Sequence, residues 1–296
     1  MKLFGLRSLR TLSKVGKEAA SGMQGDGSSH DVMPPSDEDL DEMSFLEHLE
    51  ELRWTIFRAL AGVLIVTIVC SFFSKWIIDV LLLGPSQPDF FMYELLRIEA
   101  EALKFQNRIL TGQFFVHIGV ILSVGVVLGS PIIIWSLWRF IEPGLYSHEK
   151  KGLRFASVFA TFFFITGILF GYCIITPMAI QFFAGYEISP KIDNDIDITK
   201  YFNMLTFWAL GTGILFELPV VVYFLAKIGL VTPEILRSSR KFALLGCLIL
   251  GAFFTPPDPF SQILVAVPLL LLYEGSILVA GHVVRKRERE LKKALE

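Results

Sequence analysis

The chain has 296 residues, of which 53% are hydrophobic, with a net charge of −2 and a mean hydropathy of +0.57. Soluble globular domains are less apolar, so the composition excludes an ordinary soluble protein. The apolar residues form long runs without period-two alternation, which favours membrane-spanning helices over a β-barrel, and the charge gives no indication of a nucleic-acid partner.

Residues 1–43 differ in composition from everything that follows. Lysines and arginines alternate with leucines over residues 2–17, which fits a weak basic amphipathic helix on an anionic membrane face or a disordered basic arm. Gly, Ser, Asp and Pro then dominate residues 22–41. This composition predicts a flexible cytoplasmic extension ahead of the membrane domain.

The membrane domain begins with the stretch SFLEHLEELR at residues 44–53. Ser44 and Glu47 form a capping box, which predicts a short helix with leucines on one side and acids mostly on the other. A first span follows at about Trp54–Trp76, with a tryptophan at each end as an interface anchor.

Two spans and two charged segments lie between the first span and the fourth. Residues 89–111 carry too many charges to cross a bilayer and are predicted as helical structure outside the membrane. Spans two and three are predicted at about 113–141 and 155–183, joined by the polar loop EPGLYSHEKKGLR. The acidic loop 186–200 lacks the Gly and the terminal Glu of a calcium-binding hand, so we interpret it as solvated surface.

Span four, at about Tyr201–Ala226, contains a single charged residue, Glu217. A carboxylate at that depth costs on the order of 3 kcal/mol, so it needs a partner, a water-filled cavity or a function. Pro219 removes a backbone donor two residues later, which predicts a kink. Two interpretations stay open: a protonated glutamate hydrogen-bonded within the bundle, or a polar recognition or relay point.

The last two spans are predicted to be short. Residues 242–254 provide only thirteen apolar residues, too few for a bilayer roughly 30 Å thick unless the membrane thins or the bundle buries them. Span six, at about 260–284, contains Pro268 and Glu274. Three prolines in the intervening turn, TPPDPFSQ, should hold Asp258 in a rigid position.

Basic residues concentrate near the span ends of two loops and the tail, which predicts that these face the cytoplasm. Both termini are then cytoplasmic, and six spans within residues 44–285, followed by a charged cytoplasmic tail at 286–296, fit that parity. The basic residues are Lys150, Lys151 and Arg154; Lys227, Arg237, Arg240 and Lys241; and Arg285, Lys286, Arg287, Arg289, Lys292 and Lys293.

No catalytic constellation is visible, since the chain has no nucleophile elbow, HExxH, phosphate loop or dinucleotide fingerprint. We therefore expect no enzyme, and the scattered cysteines support no metal or cofactor site. Grouped carboxylates suit an arginine-bearing peptide, because guanidinium binds them with two parallel hydrogen bonds, although an acidic helix end is often simply solvated. The carboxylates at the cytoplasmic edge are Glu47, Glu50, Glu51 and Glu149.

Five motifs in order resemble the TatC family, the large membrane subunit of the twin-arginine protein translocase. They are HLEELR at 48–53, FIEPGLYSHEK at 140–150, FELP at 216–219, TPPDPFSQ at 255–262 and PLLLLYE at 268–274. The resemblance implies an all-α polytopic membrane protein with six transmembrane helices in a concave, glove-like bundle, the last two short. It also implies a bacterial-type cytoplasmic membrane location.

The resemblance further implies the partners of the chain and the residues that contact them. Small single-span subunits of the TatA and TatB type, twin-arginine signal peptides of folded cargo and further copies of this chain would be its partners. The intramembrane polar and partner contacts would be Glu217, Pro219, Asp258 and Gln262. The signal-peptide surface would comprise His48, Glu51, Arg53, Phe140, Tyr146 and Glu149.

Three function classes follow from these observations. The first is a signal-peptide receptor and core subunit of a translocase that exports folded proteins, driven by the protonmotive force. The second is a proton-coupled small-solute transporter in which Glu217 titrates. An intramembrane hydrolase is the third, and the sequence shows no nucleophile–base pair or metal-ligand set for it.

Overall fold

The computed structural model describes residues 45–98, 100, 102–141, 150–189, 191, 195–255 and 259–295. Residues Leu49–Glu296 form one compact unit. Of the separate unit Met1–His48, only residues 45–48 are described, as the first turn of a helix. The extension predicted at residues 1–43 therefore lies outside the described residues.

Almost all of the described chain is helical, which confirms the predicted all-α fold class. A two-residue parallel bridge joins β1 (Phe105–Gln106) to β2 (Ile196–Asp197). The α-helices are α1 (Phe45–Ser71), α2 (Phe91–Leu96), α3 (Gly112–Ile141), α4 (Lys150–Phe170), α5 (Thr176–Gly185), α6 (Ile198–Phe216), α7 (Leu218–Lys227), α8 (Pro233–Ser238), α9 (Arg240–Phe254) and α10 (Pro259–Leu295).

Among the described residues, five helical segments are long and apolar enough to cross a membrane. They are Leu49–Ser71, Gly112–Phe140, Ala156–Gly185, Ile198–Lys227 and Pro259–Arg289. Helix α9 corresponds to the fifth predicted span, and its 15 residues reach about 22 Å. The chain is thus a polytopic helical membrane protein in which α9 is the short element.

Three details of the predicted architecture are corrected. The amphipathic helix predicted from Ser44 and the first span form one continuous helix, α1. Of the described residues within 89–111, only Phe91–Leu96 are helical, because β1 engages β2 instead. The last helix is not short, since α10 has 37 residues and continues through Leu295 across the predicted tail.

Prolines interrupt the third and fourth spans. Between α4 and α5 the backbone widens into a π-helical turn at Gly171–Ile175, directly before Pro177. Proline has no N–H to bond the preceding turn, so the helical ladder is interrupted there. The Gly171 carbonyl oxygen accepts both the Thr176 N–H and the buried Thr176 hydroxyl, the latter at 2.9 Å, which strengthens the turn beside the proline. Between α6 and α7 the helix breaks at Glu217, which confirms the predicted kink.

The segment after α1 is irregular and depends on tyrosines. It runs through a helical turn at Ser74–Trp76, a π-helix at Ile77–Leu82 and a 3₁₀ turn at Gly84–Ser86. Unsatisfied backbone groups are costly near the membrane interior. Carbonyl oxygens of this segment accept hydrogen bonds from tyrosine hydroxyls of other elements: Leu81 from Tyr172 at 2.8 Å, Leu82 from Tyr201 at 2.8 Å and Pro85 from Tyr93 at 2.5 Å.

Close approach of α4 to α6 requires glycine. A Cβ at Gly167 would lie 2.6 Å from the Thr212 carbonyl oxygen, and one at Gly171 would lie 2.4 Å from the Trp208 carbonyl oxygen. These glycines are four residues apart, the small-xxx-small spacing that lets membrane helices pack backbone to backbone. The third and fourth spans therefore pack backbone to backbone at these glycines.

Candidate functional site

The carboxylate Glu51 lies in the second turn of α1. Its side chain is half-buried, and its Oε2 atom is buried with no hydrogen-bond partner among the described residues. Glu50 beside it is exposed. A buried acceptor without a donor is costly, so Glu51 is available for a donor supplied by a ligand, by water or by a residue outside the described part.

The other predicted residues of α1 take different positions. Arg53 is exposed, and two residues correspond to about 200° of helix rotation, so it does not share a face with Glu51. His48 lies about one turn before Glu51 on the helix backbone. The structure therefore does not bring Arg53 and Glu51 together.

Phe140 lies in the last turn of α3 and is half-buried. Helices α1 and α3 are antiparallel, since Gly125 faces Thr67 whereas Gly129 faces Val63. Ile132 packs on Gly62, and eight further residues, about 12 Å, place Phe140 near the level of the amino-terminal turns of α1. Phe140 and Glu51 thus belong to the same end of the bundle. Tyr146 and Glu149 lie outside the described residues.

Glu217 occupies the break between α6 and α7. Its N–H donates 3.1 Å to the Ile214 carbonyl oxygen, and its own carbonyl oxygen accepts from Val220 and Val221 at 3.0 Å. Pro219 is buried in the first turn of α7 and cannot donate to the carbonyl of Leu215. The kink therefore follows from Pro219, and it puts Glu217 at the joint.

The Glu217 carboxyl group is half-buried, and its Oε1 atom is buried with no hydrogen-bond partner among the described residues. A carboxyl oxygen in that position accepts a hydrogen bond from whatever donor reaches it, including water or a polar group of a ligand. Both interpretations from the sequence remain, a protonated glutamate hydrogen-bonded within the bundle and a polar recognition or relay point. Within the described part of the chain, no residue donates a hydrogen bond to Oε1.

An apolar groove of about 1010 Å³ opens along the face of α6 that carries Glu217. Leu210 and Thr206 lie seven and eleven residues before Glu217, which places all three on one helix face. Five or more elements contribute its walls, so local sequence patterns carried no signal for it. The lining includes Cys70, Trp76, Val124, Leu169, Thr206 and Leu210.

Gln262 lies in the first turn of α10, and its Nε2 donates 3.0 Å to the Leu248 carbonyl oxygen of α9. Close packing at Gly251, where a Cβ would lie 2.8 Å from the Gln262 carbonyl oxygen, holds the two helices together at this end. Gln262 thus ties α9 to α10, and its contact with a partner stays a prediction. Asp258 lies outside the described residues.

The described residues contain no group of three or more His, Cys, Asp or Glu side chains that could hold a metal ion.

The sequence did not predict an ion pair between α9 and α10. Arg240 at the start of α9 contacts Glu274 of α10, with Nη2 and Oε2 2.7 Å apart. No spacing signal joins these residues, because 34 positions separate them.

Comparison with known proteins gives a consistent result. A family model described as Sec-independent protein translocase protein (TatC) matches residues 47–268. The TatC protein of Blattabacterium sp. subsp. Periplaneta americana (strain BPLAN) is 35% identical over 260 residues, covering 83% of this chain and 98% of that protein. The TatC protein of Aquifex aeolicus (strain VF5) is 34% identical over 253 residues, covering 85% and 100%.

Solved structures show the same likeness. A crystal structure of the twin arginine translocase receptor TatC is 33% identical in sequence and superposes with a TM-score of 0.61 over 79% of this chain and 98% of that one. A second, determined in DDM, has a TM-score of 0.63 at the same identity. At this identity the likeness extends to the sequence as well as the fold.

Proposed function

Because this chain belongs to the TatC family of Sec-independent protein translocase proteins, we propose that it is the receptor for twin-arginine signal peptides. It is also the membrane core on which the translocase assembles. The protonmotive force drives export of folded cargo, and the chain itself catalyses no reaction. It lies in the cytoplasmic membrane with both termini in the cytoplasm.

The observation that carries this proposal is the unpartnered, buried Oε2 of Glu51 at the end of the bundle shared with Phe140. Arginine supplies paired N–H donors in a fixed fork, whereas lysine supplies a compact ammonium without that geometry. A twin-arginine segment therefore matches the missing donor. Glu149, which lies between α3 and α4 in the sequence, is the second carboxylate in this proposal.

The groove beside α6 supports recognition of the apolar part of the signal peptide. Signal peptides carry an apolar stretch of roughly 7–15 residues after their charged segment. The apolar groove reaches Leu210 on the face of α6 that also carries Glu217, and it offers such a stretch a surface inside the membrane. Glu217 then provides the polar contact at the joint of α6 and α7.

A peptide-binding measurement tests the receptor role. Purified protein is titrated with a fluorescent twin-arginine signal peptide and with a twin-lysine version. Loss of one charged hydrogen bond costs about 1.5–3 kcal/mol, so Glu51→Gln should weaken twin-arginine binding by at least about tenfold. Glu50→Gln is the matched control, because it removes the same charge from an exposed neighbour. Equal binding of both peptides, or equal loss in both variants, contradicts the proposal.

The single-span partner subunits dock against α9 and α10 in this proposal. The outer faces of these helices expose large apolar side chains, including Ile249 at 60% and Leu271 at 67% exposure. Gly246, about one turn before Ile249 on α9, has open space around its Cβ position. Cysteines at 249 and 271 should crosslink to a partner helix, whereas one at Val158, equally exposed on α4, should not.

A further inference from the structure

Helices α9 and α10 end at different levels at one end of the bundle, and we call this difference in level the step. Helices α9 and α10 are antiparallel, with Gly251 against Gln262 at one end and Arg240 against Glu274 at the other. Helix α9 therefore begins level with Glu274. Helix α10 continues for 21 residues beyond that level, about 31 Å.

Helix α8 fills the base of this step. The Tyr273 hydroxyl donates 2.7 Å to the Leu236 carbonyl oxygen. Pro233 lies 3.9 Å from a Cβ position at Gly281. Helix α8 thus packs along α10 between Tyr273 and Gly281, and residues 233–241 form a ledge, which we call the shelf. Its Pro233 end meets α10 at Gly281, four residues or about 6 Å before Arg285, and its Arg240 end meets α10 at Glu274, about 16 Å before Arg285.

The shelf and the α10 segment above it are cationic. Together with Glu274, residues 233–241 and 285–289 contain seven basic and three acidic side chains, hence a net charge of +4. Glu274 is engaged by Arg240, and Glu234 lies near Arg237. Arg285 is four residues after Gly281 and shares its face, as does Glu288, while the Arg287 guanidinium lies against the turn at Gly229.

Exposed apolar side chains alternate with these cations. Ile235 is 51% exposed and Phe242 is 76% exposed, next to the exposed Arg237 and Lys241. A surface that offers cations and apolar side chains within one turn matches a phospholipid, whose phosphate and acyl chains are joined in the same way. A soluble anion would use only the cations.

We propose that the shelf binds the headgroup of an anionic membrane phospholipid. The phosphate lies between Arg237 and Lys241, and the acyl chains cover Ile235 and Phe242. The lipid fills the step between short α9 and long α10, so its headgroup lies deeper than those of the surrounding leaflet. This inference rests on the helix geometry and is independent of signal-peptide recognition.

Native mass spectrometry of the full-length protein in detergent tests this inference. Dioleoyl phosphatidylglycerol and dioleoyl phosphatidylcholine are titrated separately. We expect tighter binding of phosphatidylglycerol and a loss of about fivefold for each cation removed in R237Q/K241Q. The control K104Q/R108Q removes two exposed cations near β1, at the opposite end of the spans, and should bind phosphatidylglycerol as the parent protein does.

The charge-preserving variant R237K/K241R separates binding from folding, since it should retain the lipid. Equal affinity for the two lipids, or the same loss in both double variants, overturns the proposal. Displacement of phosphatidylglycerol by millimolar inorganic phosphate would assign the shelf to a soluble anion instead. Displacement by a hexaglutamate peptide would assign it to an acidic protein segment, and either result rejects a lipid site.

Discussion

The Tyr201 hydroxyl donates a 2.8 Å hydrogen bond to the Leu82 carbonyl oxygen across 119 residues of sequence. Tyr201 lies in the first turn of the fourth span, and Leu82 ends the π-helix after the first span. Together with Tyr172 and Tyr93, this bond replaces the regular helical partners that the irregular segment lacks. The tyrosines are therefore structural groups that hold this segment against the bundle.

Tyr201→Phe should destabilise the protein, because it leaves a buried carbonyl oxygen without a donor. We expect a loss of about 1–3 kcal/mol in the free energy of unfolding, measured by denaturant titration in detergent. Equal stability of Tyr201→Phe and the parent protein would show that water or a rearranged backbone satisfies Leu82.

Gly171→Ala should weaken the contact between the third and fourth spans. The added methyl group would meet the Trp208 carbonyl oxygen at 2.4 Å and the Thr212 hydroxyl at 2.2 Å, so the helices must separate. Overpacking of this kind costs about 1–3 kcal/mol. Gly275→Ala, where no atom lies within 4 Å of the Cβ position, should not destabilise the protein. Thermal unfolding of both variants side by side checks the difference.

Asp197 caps α6, and the stability of the structure around this cap should depend on pH. Desolvation raises the pKa of this carboxyl group, but backbone N–H donors of Lys200, Arg108 and Thr199 outweigh it and hold the pKa below its ordinary value. A lowered pKa in the folded state stabilises the cap above the unfolded-state pKa, and this is lost as pH falls through the folded-state pKa.

Hydrogen exchange at the Thr199 and Lys200 amides, followed from neutral pH to below pH ~4, checks this effect. We expect protection to fall with acidification, after correction for intrinsic exchange. Asp197→Asn keeps a cap without a titrating group and should lose the pH dependence. Identical pH profiles for the parent and Asp197→Asn would assign the effect to other carboxylates.

Glu217→Gln keeps the shape of the side chain at the α6–α7 joint and removes its charge and its titration. If Glu217 is a functional contact, export of a twin-arginine reporter should fall by about tenfold or more, while the purified variant unfolds at the parent temperature. Export at the parent level with normal partner assembly would make Glu217 a structural residue.

The spans themselves were predictable, because long apolar runs leave a helix as the main way to satisfy the backbone in a membrane. Helix α3 begins within one residue of its predicted start, and the kink at Glu217 follows directly from Pro219. The α10 extension was not predictable in this way, since charged residues after Val284 signal the end of the membrane segment and not the end of the helix.

The segment at 89–111 shows why tertiary contacts were needed. Its charges are compatible with an amphipathic helix, but pairing of Phe105 with Ile196 and of Gln106 with Asp197 fixes part of it as a strand. These partners lie about ninety residues away, so no local pattern reports them. The same limitation applies to the groove beside α6 and to the pair formed by Arg240 and Glu274.

By itself, the order of residues determined the membrane class, the main spans, the kink and the motifs of the family, because these depend on apolar length, proline and local spacing. Only the tertiary structure decided which carboxyl oxygens lack a donor, which carbonyls the tyrosines satisfy and where a shelf forms beside α10. Those properties depend on the relative depth and rotation of helices, which distant contacts set.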